Sequence, residues 1–361
     1  MMLPHHVGDR DERRAQARIL FTSGGTTGRP AVTELAMDEM LVNCAWHGQG
    51  YRAAGIGPDD TVAVWGVPGL MTSEFTVYLA AQETGARVLP IGVGLDAEAI
   101  LTMLDQFEAT VLLVMPSNLH PVVSHCLETG RRLDSVRLCV TGGEPMLPAD
   151  ADRLQSVCTQ ELTFRQVFQT SEVGSVGYQC EACPPGTFHV HEGYQEVEIA
   201  EPDDQGIGSL LVTNRARRLH PVVRQEVGDR AAWVPGPCPC GDTSARFALH
   251  GRLGKLFLFG AEKVDQSRFP QVRDELGLPG DDFTVVLRRS ADGRDELLVR
   301  STTLAQDQDA WARAVQILRT VHPKMGHLLD HGVVAPLRAE PLDGATLGNS
   351  GKTRYFENER D

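Results

Sequence analysis

The sequence predicts an α/β protein. A large N-terminal lobe would carry a mostly parallel sheet with helices plus antiparallel strands, and a small C-terminal α+β domain would follow. Three observations predict it. Between residues 60 and 166, short apolar runs alternate with stretches of helical spacing, the rhythm of parallel strands joined by covering helices. After Glu172 this gives way to the in–out alternation of antiparallel strands. Beyond Gly251-Arg252-Leu253-Gly254-Lys255, a glycine-punctuated connector, a short hairpin-and-helix pattern begins afresh. The first lobe is therefore expected over residues 1–252 and the second over 253–361.

Each element has its own signal. Residues 61–66 (TVAVWG), 110–115 (TVLLVM) and 136–141 are apolar runs with β-branched residues, as strands buried on both faces require. Residues 86–92 (ARVLPIG) read as a fourth strand. Helices are predicted between them at 73–84, 97–107 and 119–129. Loops leaving the C-terminal ends of such strands usually carry the chemistry. Residues 196–200 and 208–213 alternate as antiparallel strands, and Pro235-Gly236-Pro237 breaks the chain before Cys238. In the tail, strands at 283–289 and 296–301 flank Ala291-Asp292-Gly293, a hairpin signal, and 311–321 is a helix.

Composition narrows the function. At 361 residues, 42% hydrophobic and 23% charged, the chain is long enough for two domains. It has no apolar run of about 18 residues, so no membrane span is expected, and residues 1–18 lack the apolar stretch of a signal peptide. The cytoplasm is the expected compartment. A net charge of −14 argues against non-specific nucleic-acid binding. It does not argue against ATP, which is held by local N–H groups, a few basic residues and Mg²⁺. A homodimer is left open.

Five segments carry chemistry. Thr22-Ser23-Gly24-Gly25-Thr26-Thr27-Gly28 packs hydroxyls and glycines into one turn, a concavity of donors suited to a polyphosphate. It is not a Walker loop, because no Lys-Ser or Lys-Thr follows Gly28. Gly142-Gly143-Glu144-Pro145 follows a predicted strand, where glycines admit a flat ligand close to the backbone. In Phe168-Gln169-Thr170-Ser171-Glu172 an aromatic suits a purine face, a hydroxyl suits a phosphate oxygen and a carboxylate suits Mg²⁺. Asp229 after Gly228, with Arg252 downstream, suits ribose hydroxyls. Gly351-Lys352-Thr353 ends like a Walker loop but has Thr346 where the pattern needs glycine; a lysine on a tail can instead neutralise charge at a reacting phosphate. Alone, each has a plain structural alternative: a turn, a core aromatic, a surface carboxylate or a solvated lysine.

Of eight cysteines, Cys44, Cys126, Cys139 and Cys158 stand singly in apolar surroundings and read as buried thiols. Cys180 with Cys183 and Cys238 with Cys240 are close pairs, which in a cytosolic chain favour a metal over a disulfide. With His189 they supply enough donors for one tetrahedral Zn²⁺; metal-free thiols are the alternative.

In this order the five segments resemble the signature motifs of the adenylate-forming superfamily: acyl-CoA synthetases, peptide-synthetase adenylation domains and luciferases. Gly143-Glu144-Pro145, a serine before Glu172 and Cys238-Pro239-Cys240-Gly241 resemble its phenylacetate–CoA ligase branch. The resemblance covers roughly residues 19–356. The chain begins almost at the hydroxyl-rich loop, so it resembles compact members without the usual N-terminal region, such as acid-activating enzymes of antibiotic pathways.

That resemblance implies ATP-dependent activation of an aryl or acyl carboxylic acid to an acyl-adenylate, with release of pyrophosphate. Transfer to a thiol, of CoA or of a carrier-protein phosphopantetheine, would follow. Residues 22–28 would wrap the leaving phosphates, Phe168 would stack on adenine beside Gly143, Glu144 and Gln169, and Ser171 would touch the α-phosphate. Glu172 would ligate Mg²⁺, Asp229 and Arg252 would hold the ribose, and Lys352 would bridge carboxylate and phosphate before its domain rotates away. The branch has a zinc held by one cysteine, one histidine and the Cys-Pro-Cys pair; Cys180 and Cys183 compete for the first place, and the spacing after Glu172 favours Cys180. The hinge after Arg252 lacks the usual aspartate. Transfer to a non-thiol nucleophile or a protein acceptor, or a catalytically inactive nucleotide-binding protein, are the rival outcomes.

Overall fold

The computed structural model describes residues 17–22, 32–65, 73–91, 95–143, 146, 148–252, 256–259, 262–290, 294–330, 334–342 and 355–359. They fall into two compact units. The first is drawn from Met1–Met115, His125–Pro145 and Cys158–His250, the second from Pro116–Ser124, Met146–Val157 and Gly251–Asp361.

The first unit is organised by an eleven-stranded sheet. Its parallel half runs in the order β7 (Thr163–Thr170), β6 (Leu138–Thr141), β5 (Val111–Val114), β3 (Thr61–Trp65), β4 (Arg87–Pro90). Every residue of β3, β5 and β6 is buried, which is why these strands are continuous apolar runs. The crossovers β3–β4, β4–β5, β5–β6 and β6–β7 carry α2 (Ser73–Gln82), α3 (Ala97–Gln106), α4 (Pro116–Thr129) and α5 (Pro148–Val157). The antiparallel half adds β8 (Gly174–Tyr178), β9 (Thr187–Val190), β13 (Arg246–Arg252), β12 (Gln225–Val234), β11 (Gly208–Asn214) and β10 (Gln195–Ala200), in that spatial order. A separate pair, β1 (Arg18–Thr22) and β2 (Val32–Ala36), is antiparallel, with Thr22 opposite Val32.

One long helix, α1 (Met37–Ala53), has no counterpart among the sequence predictions. The reason is physical. Glu39, Asn43 and His47, spaced four apart, form a buried polar stripe on this helix, with Tyr51 continuing it. Apolar periodicity, the signal that reveals a surface helix, is therefore missing.

The second unit holds a four-stranded sheet in the order β18 (Arg338–Glu340), β17 (Asp295–Arg300), β16 (Thr284–Arg289), β19 (Phe356–Asn358). β16 and β17 are antiparallel, and the two outer strands pair in parallel. Helices α6 (Phe269–Leu276), α7 (Thr302–Gln306), α8 (Gln308–Val321) and α9 (Pro323–Asp330) accompany it, with the β14 (Leu256–Phe259) and β15 (Glu262–Asp265) hairpin. Phe259, Phe269, Val272, Phe283, Leu297 and Leu318 belong to its apolar core. Asp307 caps α8 by accepting the Asp309 and Ala310 N–H groups at 2.9 and 3.0 Å. Ala291, Asp292 and Gly293 lie outside the described residues, although the strands they were expected to join do pair. Among the described residues no helix is long and apolar enough to cross a membrane.

Candidate active site and metal centre

The hydroxyl-rich segment joins β1 to β2. The antiparallel pairing of Thr22 with Val32 brings its two ends together. Ser23, Gly24, Gly25, Thr26, Thr27 and Gly28 themselves lie outside the described residues, as does the Thr22 side chain.

The second and third segments meet at the end of the parallel sheet. β6 and β7 pair in parallel with Thr141 beside Gln166. The next residues, Gly142 and Gly143, therefore follow the strand end alongside Val167 and Phe168. A side chain at Gly142 would crowd Val167, its Cβ falling 3.2 Å from Cγ2, and Gly143 has φ of +79°, a conformation that favours glycine. Glu144 lies outside the described residues.

Phe168 is half-buried on β7, with its ring 5.8 Å from both Phe188 and Phe247. Ser171 and Glu172 are half-buried on the turn between β7 and β8. The turn is held from behind by buried amides that no motif announces. The Val173 carbonyl accepts from Gln195 Nε2 and Asn214 Nδ2, both at 2.9 Å. Ser175 N–H donates to Asn43 Oδ1 at 2.9 Å, and its carbonyl accepts from Gln195 Nε2 at 2.8 Å. Gly174, with φ of +86°, leaves no room for a Cβ beside Asn43 and Tyr194. Irregular backbone after Glu172 leaves groups without ladder partners, and the amides supply them.

Asp229 is half-buried on β12. Ser209 pairs with Arg230 and Leu211 with Glu226, so residues 227–229 form a bulge opposite Leu210 alone. Gly228, at φ of +80°, makes the bulge possible. The Arg252 backbone closes β13, but its side chain is outside the described residues, as is Lys352. Soon after Lys352 the chain is anchored by Tyr355, whose hydroxyl accepts from Arg273 at 3.1 Å, and by β19.

The cysteine pairs converge. One ligand atom each from Cys180, His189, Cys238 and Cys240 lie within 4.8 Å of one another. Cys180 Sγ is 3.6 Å from Cys238 Sγ, and Cys240 Sγ is 3.5 Å from His189 Nε2. Around a tetrahedral zinc, bond lengths of about 2.3 Å to sulfur and about 2.0 Å to nitrogen would separate sulfurs by roughly 3.8 Å and sulfur from nitrogen by roughly 3.5 Å. The donor set fits. Cys183 is a fourth thiol, 3.5 Å from Cys180 Sγ but outside the quartet.

The surroundings orient the histidine. His189 Nδ1 is 3.0 Å from Ser244 Oγ, and its ring stacks on Tyr178 at 5.4 Å. That leaves Nε2 for the centre, the arrangement that outer partners impose on ligating histidines. Burial would raise the Cys238 thiol, but the Cys240 N–H, the Cys240 thiol and His189 outweigh it and bring it down to about 6. Cys44, Cys126, Cys139 and Cys158 are free, buried thiols, each pushed up chiefly by burial.

Known proteins resemble this chain in sequence and in fold. The AMP-binding enzyme family matches residues 6–211, more than half the chain. The phenylacetate-coenzyme A ligase of Escherichia coli is 26% identical over 235 residues, covering 60% of this chain and 51% of that protein. The enzyme of the same name from Thermus thermophilus is 22% identical over 287 residues, 76% of this chain and 64% of its own. This chain thus spans about half to two-thirds of the length of these relatives. Among solved structures, 2-hydroxyisobutyryl-CoA ligase in its postadenylation state with 2-HIB-AMP superposes with a TM-score of 0.71 at 21% identity, covering 94% of this chain and 74% of that one. This likeness establishes the shared fold.

Proposed function

This chain belongs to the AMP-binding enzyme family, in the phenylacetate–CoA ligase-like branch of the adenylate-forming superfamily, and we propose that it activates a carboxylic acid with ATP and passes the acyl group to a thiol. The observation that carries the proposal is the meeting of Gly142-Gly143 with the Phe168–Glu172 segment at the C-terminal end of the parallel strands. Ligands of open α/β sheets bind at such strand ends.

On this proposal the acid carboxylate attacks the α-phosphorus of ATP, and pyrophosphate leaves. The protein's share is in-line placement and neutralisation of charge. The hydroxyl-rich loop takes the departing phosphates, Phe168 and Gly143 bound the adenine, and Ser171 meets the α-phosphate. Asp229, on its bulge, takes the ribose with Arg252, and Lys352 supplies positive charge to the reacting oxygens. Glu172 would hold Mg²⁺, which offsets phosphate charge when bound. Cys180, His189, Cys238 and Cys240 would hold a structural zinc that ties the β8–β9 connection to the β12–β13 connection and leaves no open position for substrate. CoA or a carrier-protein pantetheine is the acceptor.

The test is acid-dependent ATP–pyrophosphate exchange over a panel of aryl and alkyl carboxylates. Exchange with a subset of acids is expected, falling to background in Lys352→Ala while ATP binding survives. ATP binding with no acid-dependent exchange would instead identify an inactive nucleotide-binding protein. Near-normal exchange in Lys352→Ala would remove the lysine from the mechanism.

A further inference from the structure

Arg217, in the connection between β11 and β12, is 6% exposed, and none of its three guanidinium nitrogens has a hydrogen-bond partner among the described residues. The other buried arginines among those residues are paired. Arg273 donates to Asp274 Oδ1 and the Tyr355 hydroxyl at 3.1 Å, and Arg246 donates to the Gly236 carbonyl at 3.0 Å. A guanidinium offers five donors and keeps its charge, so burying it unpaired is costly.

The groups around Arg217 leave most of its donors unused. The Tyr194 hydroxyl donates to Asn43 Oδ1 at 3.0 Å, and its oxygen lies near enough to favour the charged guanidinium, though outside hydrogen-bonding geometry. Glu39 Oε1 accepts the N–H groups of Arg218 and Leu219, and Oε2 accepts that of Ala36 at 2.8 Å. Its charge therefore offsets that of Arg217 without bonding to it. Burial pulls the guanidinium below its ordinary pKa, against Tyr194 and Glu39.

A second unused donor flanks the same hydroxyl. Asn43 is 1% exposed, and its Nδ2 also lacks a partner. The amide is not reversible, because the Ser175 backbone N–H can only donate and so requires Oδ1. Arg217 and Asn43 therefore both hold unused donors near Tyr194, which calls for a ligand that only accepts. The pair is also tied to the Glu172 turn. Asn214 Oδ1 accepts the Ala216 and Arg217 N–H groups at 2.9 and 3.1 Å, while its Nδ2 holds the Val173 carbonyl.

We propose that Arg217 and the Asn43 amide form a binding site for a carboxylate group. The planar fork of arginine matches two carboxylate oxygens, and one negative charge balances Arg217 without adding to Glu39. A phosphate dianion would leave an excess negative charge among buried groups. The carboxylate is either that of a free small acid or the far end of the acid being activated. In the second case, which rests on the activity proposed above, the substrate is a dicarboxylic acid.

Binding is tested on the full chain without ATP, by melting wild type, Arg217→Met and Arg217→Lys with succinate, benzoate or inorganic phosphate. In carboxylate-free buffer Arg217→Met should melt about 2 °C or more above wild type, because an unpaired buried charge is removed. Wild type should be stabilised by succinate or benzoate and less by phosphate. Arg217→Met should not respond, and Arg217→Lys, which keeps the charge but not the fork, should bind at least about tenfold more weakly. A lower melting temperature for Arg217→Met, a carboxylate response that survives in it, no response in wild type, or phosphate acting as well as carboxylate would each overturn the proposal. Pyrophosphate exchange then separates the sources. Exchange driven by succinate and lost in Arg217→Met places the carboxylate on the substrate, whereas binding without succinate-driven exchange identifies a free-acid site. Binding with no exchange for any acid sinks the proposed activity and leaves the site standing.

Discussion

Cys180 and Cys183 are three residues apart and their sulfurs are 3.5 Å apart, yet only Cys180 belongs to the quartet with His189, Cys238 and Cys240. The difference is measurable. Protein purified without added zinc should contain about one zinc per chain, because such sites bind tightly. Cys180→Ser should lose most of it, and Cys183→Ser should keep it. Equal loss in both variants would place Cys183 in the centre. These residues were legible because metal chemistry restricts ligand type and spacing. Asn43, Gln195 and Asn214 were not. Each satisfies irregular backbone near residues 173–175, and an amide that bonds backbone has no required partner in the sequence. Arg217 was illegible for a related reason. An arginine on a loop is expected at the surface, and its burial depends on a fold that the local sequence does not describe.

At the scale of elements, α5 carries a buried carboxylate with a pH signature. Burial would raise Asp150, but His120 at 3.3 Å, Arg273 at 3.8 Å and the Gly280 N–H at 3.0 Å outweigh it and hold it below the usual carboxylate range. A carboxyl whose folded pKa is lowered contributes stability that is fully present above its unfolded value, near pH 4, and lost as pH falls through the folded value. Melting curves from pH 6 to pH 3 should therefore show a steeper acid loss for wild type than for Asp150→Asn. At neutral pH the variant should be less stable by on the order of 3 kcal/mol, since it removes one partner of a buried cluster. Parallel acid profiles for the two proteins would mean that Asp150 is not held low. Elements differed in legibility along the same line. β3, β5 and β6 announce themselves because both faces are buried in apolar surroundings. α1 does not, because Glu39, Asn43 and His47 occupy its buried stripe, and the bulge of β12 rests on one glycine within an otherwise ordinary strand.

For the whole molecule, a reading in chain order can divide the sequence only at a point, such as the Gly251 connector. Compactness instead gathers Pro116–Ser124 and Met146–Val157 with Gly251–Asp361, a grouping made by packing between distant segments. The proposed chemistry is likewise divided. Forming the adenylate needs positive charge at the reacting phosphate, whereas thiol attack on a finished adenylate expels AMP and has no pyrophosphate to neutralise. If Lys352 serves only the first step, the two half-reactions can be separated in one variant. Lys352→Ala should show acid-dependent pyrophosphate exchange at background, a loss of about a hundredfold or more for removal of a charge that acts in the transition state. Given chemically prepared acyl-adenylate and CoA, the same protein should form thioester within a few-fold of the wild-type rate. Loss of both steps together would mean that the lysine is needed for a shared step such as nucleotide binding, and direct measurement of ATP affinity in the variant would decide this. Loss of transfer with exchange retained would invert the assignment and place the residue at the thiol.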